Sequence, residues 1–414
     1  MKNSELEYRR EIAVKLLSEG LDEDDLKDID QYDPYTVAEV PSLLADIDLD
    51  YPSGLAPIPE PIEPRPGTSN PLPQADVLVI TWTVAELNGL ADVLTPGFSR
   101  RRWYFYRRRF DDHYDNLIRN GAPAKKNRRL GSWFKTKIGN LSVICYKSEL
   151  HLNQDGINLD GEGPDAQPAN SKTGFATLPV KDMFEQLIKD VKPKLVITTG
   201  TSGATFIEHD LGDVVVTRGA RFRLSDEFKN MSYNGINIEG AQYKSEWVLP
   251  TSHFEIAKRF MATFKNRLKE PPFAPPTKRF PFEGDPLIAK ENDPDIRFDG
   301  NGEELLEFHP ILTTDFFEFG TSDNKLELEG AAVEMGDAVL GLVCEELKER
   351  GEEVPDWVVV RNISDPQINA DLQTSPRNLN MQIHWAVWYY EKYGYWTSVN
   401  GALACWAIIA GYQE

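Results

Sequence analysis

Two hydrophobic periods alternate along this chain. Short apolar, β-branched runs such as "DVLVITWT" (76–83), "PKLVITTG" (193–200) and "VVVRNISDPQ" (358–367) read as strands buried on both faces. Between them lie stretches with helical spacing. In "VKDMFEQLIKDV", Val180, Met183, Phe184, Leu187, Ile188 and Val191 fall on one stripe, and "VAELNGLADVL" opens a helix directly after the first strand. "KIGNLSVICYKS" predicts a hairpin and "GDVVVTRGARF" another strand; helices are expected from about Phe254 to Leu268 and from Glu329 to Arg350, with aromatic-rich helices closing the chain. Residues 5–18 predict a helix capped by Ser4, with Ile12, Leu16 and Leu17 on one face and Gly20 as its stop. Strand–helix alternation of this kind predicts an α/β layered domain. No internal repeat is visible.

Punctuation divides the chain. Eight prolines between Pro52 and Pro73 mark an extended linker or a strap over the surface. The expected organisation is an acidic, partly helical appendage over 1–50, a proline-rich linker over 51–75, and one large domain over 76–414 with a basic insertion at 99–140. The acidic "DEDDLKDIDQYD" lacks the glycine and terminal glutamate of a calcium loop and reads as a solvated turn. No apolar run reaches the ~20 residues that span a bilayer, and "MKNSELEYRR" has no apolar signal core. Cys145, Cys344 and Cys405 sit apart in apolar segments, which fits buried thiols in a reducing cytoplasm. None of the six histidines has metal-ligand spacing, so no metal and no cofactor is expected.

The net charge of −21 is uneven: Arg100 to Lys137 holds thirteen basic and three acidic residues, leaving −31 elsewhere. So acidic a body disfavours nucleic acid as a partner.

Candidate chemistry gathers at four junctions. Glu86 opens the helix after the first strand. "ITTGTSGATF" (197–206) runs from a strand into a loop of small and hydroxyl residues, without the Gly-Lys-Ser/Thr ending of a phosphate loop or the dinucleotide glycine pattern. "LELEGAAVEM" (326–335) carries Glu327 and Glu329, and Asp365 ends the valine strand. Each alone reads as ordinary capping or turn chemistry; four in one α/β chain point to a shared site.

In order and spacing these junctions resemble the nucleoside phosphorylase / nucleosidase superfamily, and within it the methylthioadenosine/adenosylhomocysteine nucleosidase branch. "VLVITWTVAE" matches its first strand with a glutamate ten residues on, "GTSGATFIEHDLGDVVV" its central glycine-serine loop, "LEGAA" its Met-Glu-Gly-Ala helix start, and "VVRNISD" its Val-Val-Arg-x-Ile-Ser-Asp strand end. "TTDFF" (313–317) is similar to the segment whose aromatic ring packs on the base. The resemblance covers roughly 76–414, with large insertions. It implies a three-layer α/β/α nucleoside phosphorylase-like fold with a central mixed twisted sheet, a small helical N-terminal appendage, and cleavage of the N-glycosidic bond of a purine nucleoside or nucleotide, adenine above all.

The roles it implies follow from the chemistry, which needs an acid for the departing base and a nucleophile at the sugar carbon. Asp365 is the expected acid, in a dry pocket that raises its pKa, and Glu86 the expected base for a water. Glu329, with Glu327 beside it, is expected at the ribose hydroxyls, Leu328 beneath the sugar, Phe317 on the base, Thr201 at the water, and Ser202 and Gly203 along the base pocket. The Gly-Asp-Pro-x-Arg loop and the arginine of phosphorolytic members are missing, and "EGDPLIAK" (283–290) lies elsewhere in the chain. Hydrolysis is therefore expected over phosphorolysis.

Three readings of the basic segment stay open: a solvated or oligomer-facing insertion; a grip on a 5′-phosphate or triphosphate through some of Arg100–Arg102, Arg107–Arg109 (Arg107, Arg108 and Arg109 foremost) and Arg128–Arg129, with Lys147; and, against the acidic remainder, stacking of nucleic acid on Trp103 to Tyr106. Long members with such insertions resemble antiphage effectors that release adenine from nucleotides, which implies ATP or dATP as substrate and depletion of the pool as role. A homo-oligomer and a regulatory partner at the N-terminal segment are further expectations. A phosphorylase completed by a neighbouring subunit and a non-catalytic nucleotide sensor are the rivals.

Overall fold

The computed structural model describes residue 44 and residues 49–118, 122–152, 159–160, 167–168, 178–224, 237–268, 293–300, 305–370 and 381–412. The helix expected at 5–18 and the acidic turn after it lie outside the described residues.

Buried apolar runs make the centre of the sheet. The first is Val77–Thr81 (β1), buried at every position. Helix Val84–Leu94 (α1) follows at once, because Thr83 and Glu86 form a reciprocal capping box across its first turn. The hairpin Gly131–Ile138 (β2) and Leu141–Ser148 (β3) turns at Gly139, whose φ of 57° suits glycine. Helix Pro179–Val191 (α2) buries the stripe expected for it. Then come Leu195–Ala204 (β4), Val214–Thr217 (β5), Gly219–Phe222 (β6), helix Phe254–Thr263 (α3), Ile311–Thr313 (β7), Ala332–Glu334 (β8), helix Asp337–Glu349 (α4), Asp356–Asp365 (β9) and the long helix Met381–Gly411 (α5).

Among the described residues thirteen strands join in one mixed sheet, and Leu159–Asp160 pairs with Gln167–Pro168 in a separate two-stranded ladder. β4 is the axis of the sheet. β4 runs parallel to β9 from Leu195 to Gly203 and to β1 on its other side from Leu195 to Thr198; at Gly203 and Ala204 that other side pairs antiparallel with β8. Two groups of helices accompany the sheet: α1 and α3 each pack on α5, and α2 packs on α4. The result is the α/β layered fold that the strand–helix alternation predicts.

Three expected elements differ. The helix expected from Glu329 begins at Asp337, because Leu326–Leu328 make a single 3-10 turn and Ala332–Glu334 are drawn into the sheet beside β7. "GDVVVTRGARF" splits into β5 and β6 at Arg218, which turns aside to pair with Asp299. The aromatic C-terminal segment is one helix; its run Ala402–Ala410 is buried in the core. No helix among the described residues is long and apolar enough to cross a membrane.

The proline-rich stretch is fastened as a strap. Ile58–Pro59 pairs with β2 and forms the edge of the sheet there, Trp406 Nε1 donates to the Leu55 carbonyl at 2.8 Å, and Tyr51 packs on the rings of Trp406 and Phe260.

The contact of α1 with α5 depends on a bare backbone at Gly89, where an added Cβ would meet the Ser398 carbonyl carbon at 2.8 Å. Gly89→Ala should destabilise the protein by about 1–3 kcal/mol, as overpacking does; urea unfolding will show it as a lower midpoint with an unchanged slope.

Candidate active site

The carboxyl ends of β1, β4 and β9 border a small cavity, partly open to solvent. Ligand sites in open α/β sheets lie in such crevices. Glu86, Thr201, Ser202, Gly203, Phe317 and Asp365, six of the residues singled out in the sequence, all line it.

Asp365 ends β9. The register between β9 and β4 shifts between Ile363 and Asp365, and this irregularity sets Asp365 opposite Gly203. Its carboxyl is 3% exposed. Burial pushes its pKa up to about 8, against the opposing effect of the Ser364 hydroxyl, which donates to Oδ1 at 2.8 Å. Oδ2 is buried with no hydrogen-bond partner. The close approach requires glycine at 203, where a Cβ would stand 2.8 Å from Oδ2. At neutral pH this is a proton donor without an acceptor.

Glu86 is its opposite. Oε2 accepts from the amides of Trp82 and Thr83, both at 2.8 Å, and from Thr81 Oγ1 at 2.9 Å. Oε1 accepts from the amide of Thr201 at 2.8 Å and its hydroxyl at 2.7 Å. Burial works to raise its pKa, but the Arg361 guanidinium and the amides of Thr83 and Thr201 outweigh it and hold Glu86 below the usual carboxylate range. Here too the strand has no side chain: a Cβ at Gly200 would lie 2.7 Å from Glu86 and from Arg361.

Arg361, from the middle of β9, is the buried cation of the site. Nε and Nη2 grip Asp337 at 2.8 and 2.6 Å, Nη2 also reaches Glu334 at 3.0 Å, and the guanidinium lies over the Trp82 ring at 4.7 Å. Three carboxylates, those of Glu86, Glu334 and Asp337, thus share one guanidinium. Burial, with Asp337 adding to it, pushes Glu334 up to about 7. His151, also on the cavity wall, is driven down to about 3 by burial and is a neutral imidazole.

Glu329 and its neighbours are corrected. Glu329 does not line the cavity; it pairs with Arg223 at 3.3 Å on a half-exposed surface. Leu328 is 76% exposed, and Glu327 belongs to the same 3-10 turn. The turn precedes β8, and it is β8 that carries carboxylate chemistry inward, through Glu334 with Met335 next to it. "VEMGD" (333–337), a carboxylate ending a short apolar run before a helix, is the signal in the sequence for this. A lone arginine within "VVVRN" is the matching signal for Arg361, since a buried guanidinium demands carboxylate partners. Trp82, His151 and Tyr390 complete the wall, and nothing in their spacing announces them.

The arginines expected at a phosphate are corrected as well. Arg107 pairs with Asp111 at 2.7 Å, Arg109 with Asp112 at 3.6 Å, and Arg108 with Asp190. None lines the cavity. Lys147 is buried against Glu149 at 2.6 Å, and Arg129 reaches the same carboxylate at 2.8 Å. The insertion's positive charge is answered by acids of its own and of the domain. Among the described residues, no group of three or more His, Cys, Asp or Glu side chains is arranged to hold a metal ion.

No family model matches the chain, and no curated protein does. Solved structures are similar in fold. The 5′-methylthioadenosine/S-adenosylhomocysteine nucleosidase of Neisseria meningitidis, in complex with methylthio-immucillin-A, is 14% identical over 81% of this chain and 98% of that one, at a TM-score of 0.40. Futalosine hydrolase of Helicobacter pylori is 12% identical over 80% and 96%, also at 0.40. A nucleosidase assigned to the first of these activities in Borrelia burgdorferi, bound to adenine, is 16% identical over 80% and 98%, at 0.38. The structural neighbours are thus nucleosidases at low identity.

The raised carboxyl has a measurable consequence for stability. Unfolded, Asp365 ionises near its ordinary 3.8; folded, it holds its proton to about 8. Between those values the native state binds the extra proton, so its contribution falls as pH rises. Asp365→Asn keeps the Ser364 contact and does not titrate. Its melting temperature should gain on that of the wild type between pH 5 and pH 8.5; a constant difference in paired thermal melts would contradict a proton on Asp365.

Proposed function

We propose that the protein hydrolyses the N-glycosidic bond of a purine nucleoside, releasing free base, with adenine the favoured base. One observation carries this reading: a single cavity holds a carboxyl that keeps its proton at neutral pH, Asp365, and a carboxylate that cannot easily take one, Glu86. Environments that push two carboxyls apart in this way divide them into a donor and a permanent anion.

Cleavage puts positive charge on the sugar and negative charge on the departing base. Asp365 Oδ2 gives its proton to a ring nitrogen of the base, and Phe317 offers the base an apolar ring to lie against. Ionised Glu86, held in place by five hydrogen bonds, faces the developing cation without needing to reorganise. Water is the favoured nucleophile. A phosphate dianion needs charge-assisted partners, and the guanidinium on the cavity wall is already engaged by Asp337 and Glu334.

The proposed ligand of this cavity is the nucleoside moiety. A 5′-phosphate chain draws no support from Arg107, Arg108, Arg109 or Lys147, each of which faces an acid elsewhere. ATP or dATP as substrate, and a nucleotide-depleting antiphage role, rest on the resemblance in sequence alone, as do a homo-oligomer and a docking role for the N-terminal segment.

Incubation with adenosine, methylthioadenosine, AMP, ATP, dATP and NAD, with and without phosphate, tests the reading by chromatography of free base. Release without phosphate is expected, and Asp365→Ala should lower it by about 10²–10⁴-fold. Release only with phosphate would make the protein a phosphorylase, tight binding without release a sensor, and a wild-type rate in the variant would remove Asp365 as the acid.

A further inference from the structure

We infer that His151 is the side chain that recognises the sugar of the nucleoside, through a hydrogen bond to one of its hydroxyl groups. The inference rests on the hydrolytic reading above and adds to it a determinant of sugar specificity.

Strand order gives the cavity two ends. β9 pairs with β4, β4 with β1, and β1 with β3, all parallel, so their carboxyl ends stand in a row along one side of the sheet. Asp365 closes the row at β9, and Glu86 enters near its middle, in the first turn of the helix after β1. His151 stands at the opposite end, three residues past the last residue of β3. All three line the same cavity. Neighbouring strands lie ~4.8 Å apart, which puts about 14 Å between the outer strands of the row, a distance comparable to the length of a nucleoside. With the base at Asp365 and the breaking bond before Glu86, the sugar extends toward β3 and His151.

The chemistry of that end suits a hydroxyl group. His151 is 8% exposed, and its ring meets that of Trp82 edge-on with the centroids 6.1 Å apart. Burial keeps the imidazole uncharged, against the pull of Glu86 and with the help of Arg361 and Lys147. A neutral imidazole donates from one ring nitrogen and accepts at the other, the complement of a hydroxyl that does both. It brings no charge to a phosphate, and ionised Glu86 in the same field repels one. Where water is largely excluded, a sugar lacking the matching hydroxyl leaves a polar group of the wall unsatisfied and is penalised for it.

Measurement of kcat/KM for base release from adenosine, 2′-deoxyadenosine, 3′-deoxyadenosine and 5′-deoxyadenosine tests this in the wild type, His151→Phe and His151→Gln. The wild type should disfavour one of the three deoxynucleosides by about 10–100-fold relative to adenosine. His151→Phe keeps an aromatic ring against Trp82 but has no ring nitrogen. It should lose that factor on adenosine while the matching deoxynucleoside changes by less than about threefold, so that the preference collapses. His151→Gln, which retains a donor and an acceptor, should restore part of it. A ratio between substrates does not depend on how much of a variant is folded. Equal losses on all four substrates in either variant, or a wild type indifferent to every deletion, would overturn the role of His151 alone. Absence of base release by the wild type from all four would overturn the hydrolytic reading itself.

Discussion

The buried guanidinium of Arg361 is the interaction on which the site is built. A charge so placed is costly unless it is paired and hydrogen-bonded, and this one is gripped by Asp337, touched by Glu334, and laid over Trp82. Each partner comes from a different element. Asp337 starts α4, Glu334 ends β8, Trp82 follows β1, and Glu86, also within the field of Arg361, lies in the first turn of α1. Satisfying one cation therefore fixes two stretches distant in sequence, 82–86 and 334–337, against β9. The cavity is the space left between them.

That dependence explains what the sequence disclosed and what it withheld. Asp365 and Glu86 were legible because each stands at the end of a strand or the start of a helix whose apolar pattern is unmistakable. The strand-to-loop run at Thr201–Gly203 was legible for the same reason. Glu334 was not. Two glutamate-bearing stretches adjoin, "LEGAA" and "VEMGD", their glutamates five residues apart, and their letters alone do not say which enters the sheet. The register of β8 against β7 decides it, turning Glu334 inward and leaving Glu329 at the surface with Arg223. His151 and Tyr390 arrive from β3's far end and from α5, through long-range packing that no local spacing encodes.

The basic insertion shows a related ambiguity. Its arginines have the composition of a phosphate grip, and composition cannot tell a cation awaiting a ligand from one already matched. Arg108 crosses to Asp190 on α2, and His113 to Asp182 on the same helix. The charge asymmetry between this segment and the rest of the chain is thus, in part, the means by which the insertion is held to the domain. Exposed pairs of this kind are individually weak; buried Arg129 and Lys147 on Glu149 are the exceptions.

Gly200 and Gly203 have one more implication. At both positions a carboxyl group of the cavity wall rests directly on main chain, with no side chain in between. The two contacts are three residues apart, at most about 10 Å along an extended strand. β4 is therefore a ruler: the places at which the two carboxyl groups meet the strand are graduated in peptide units.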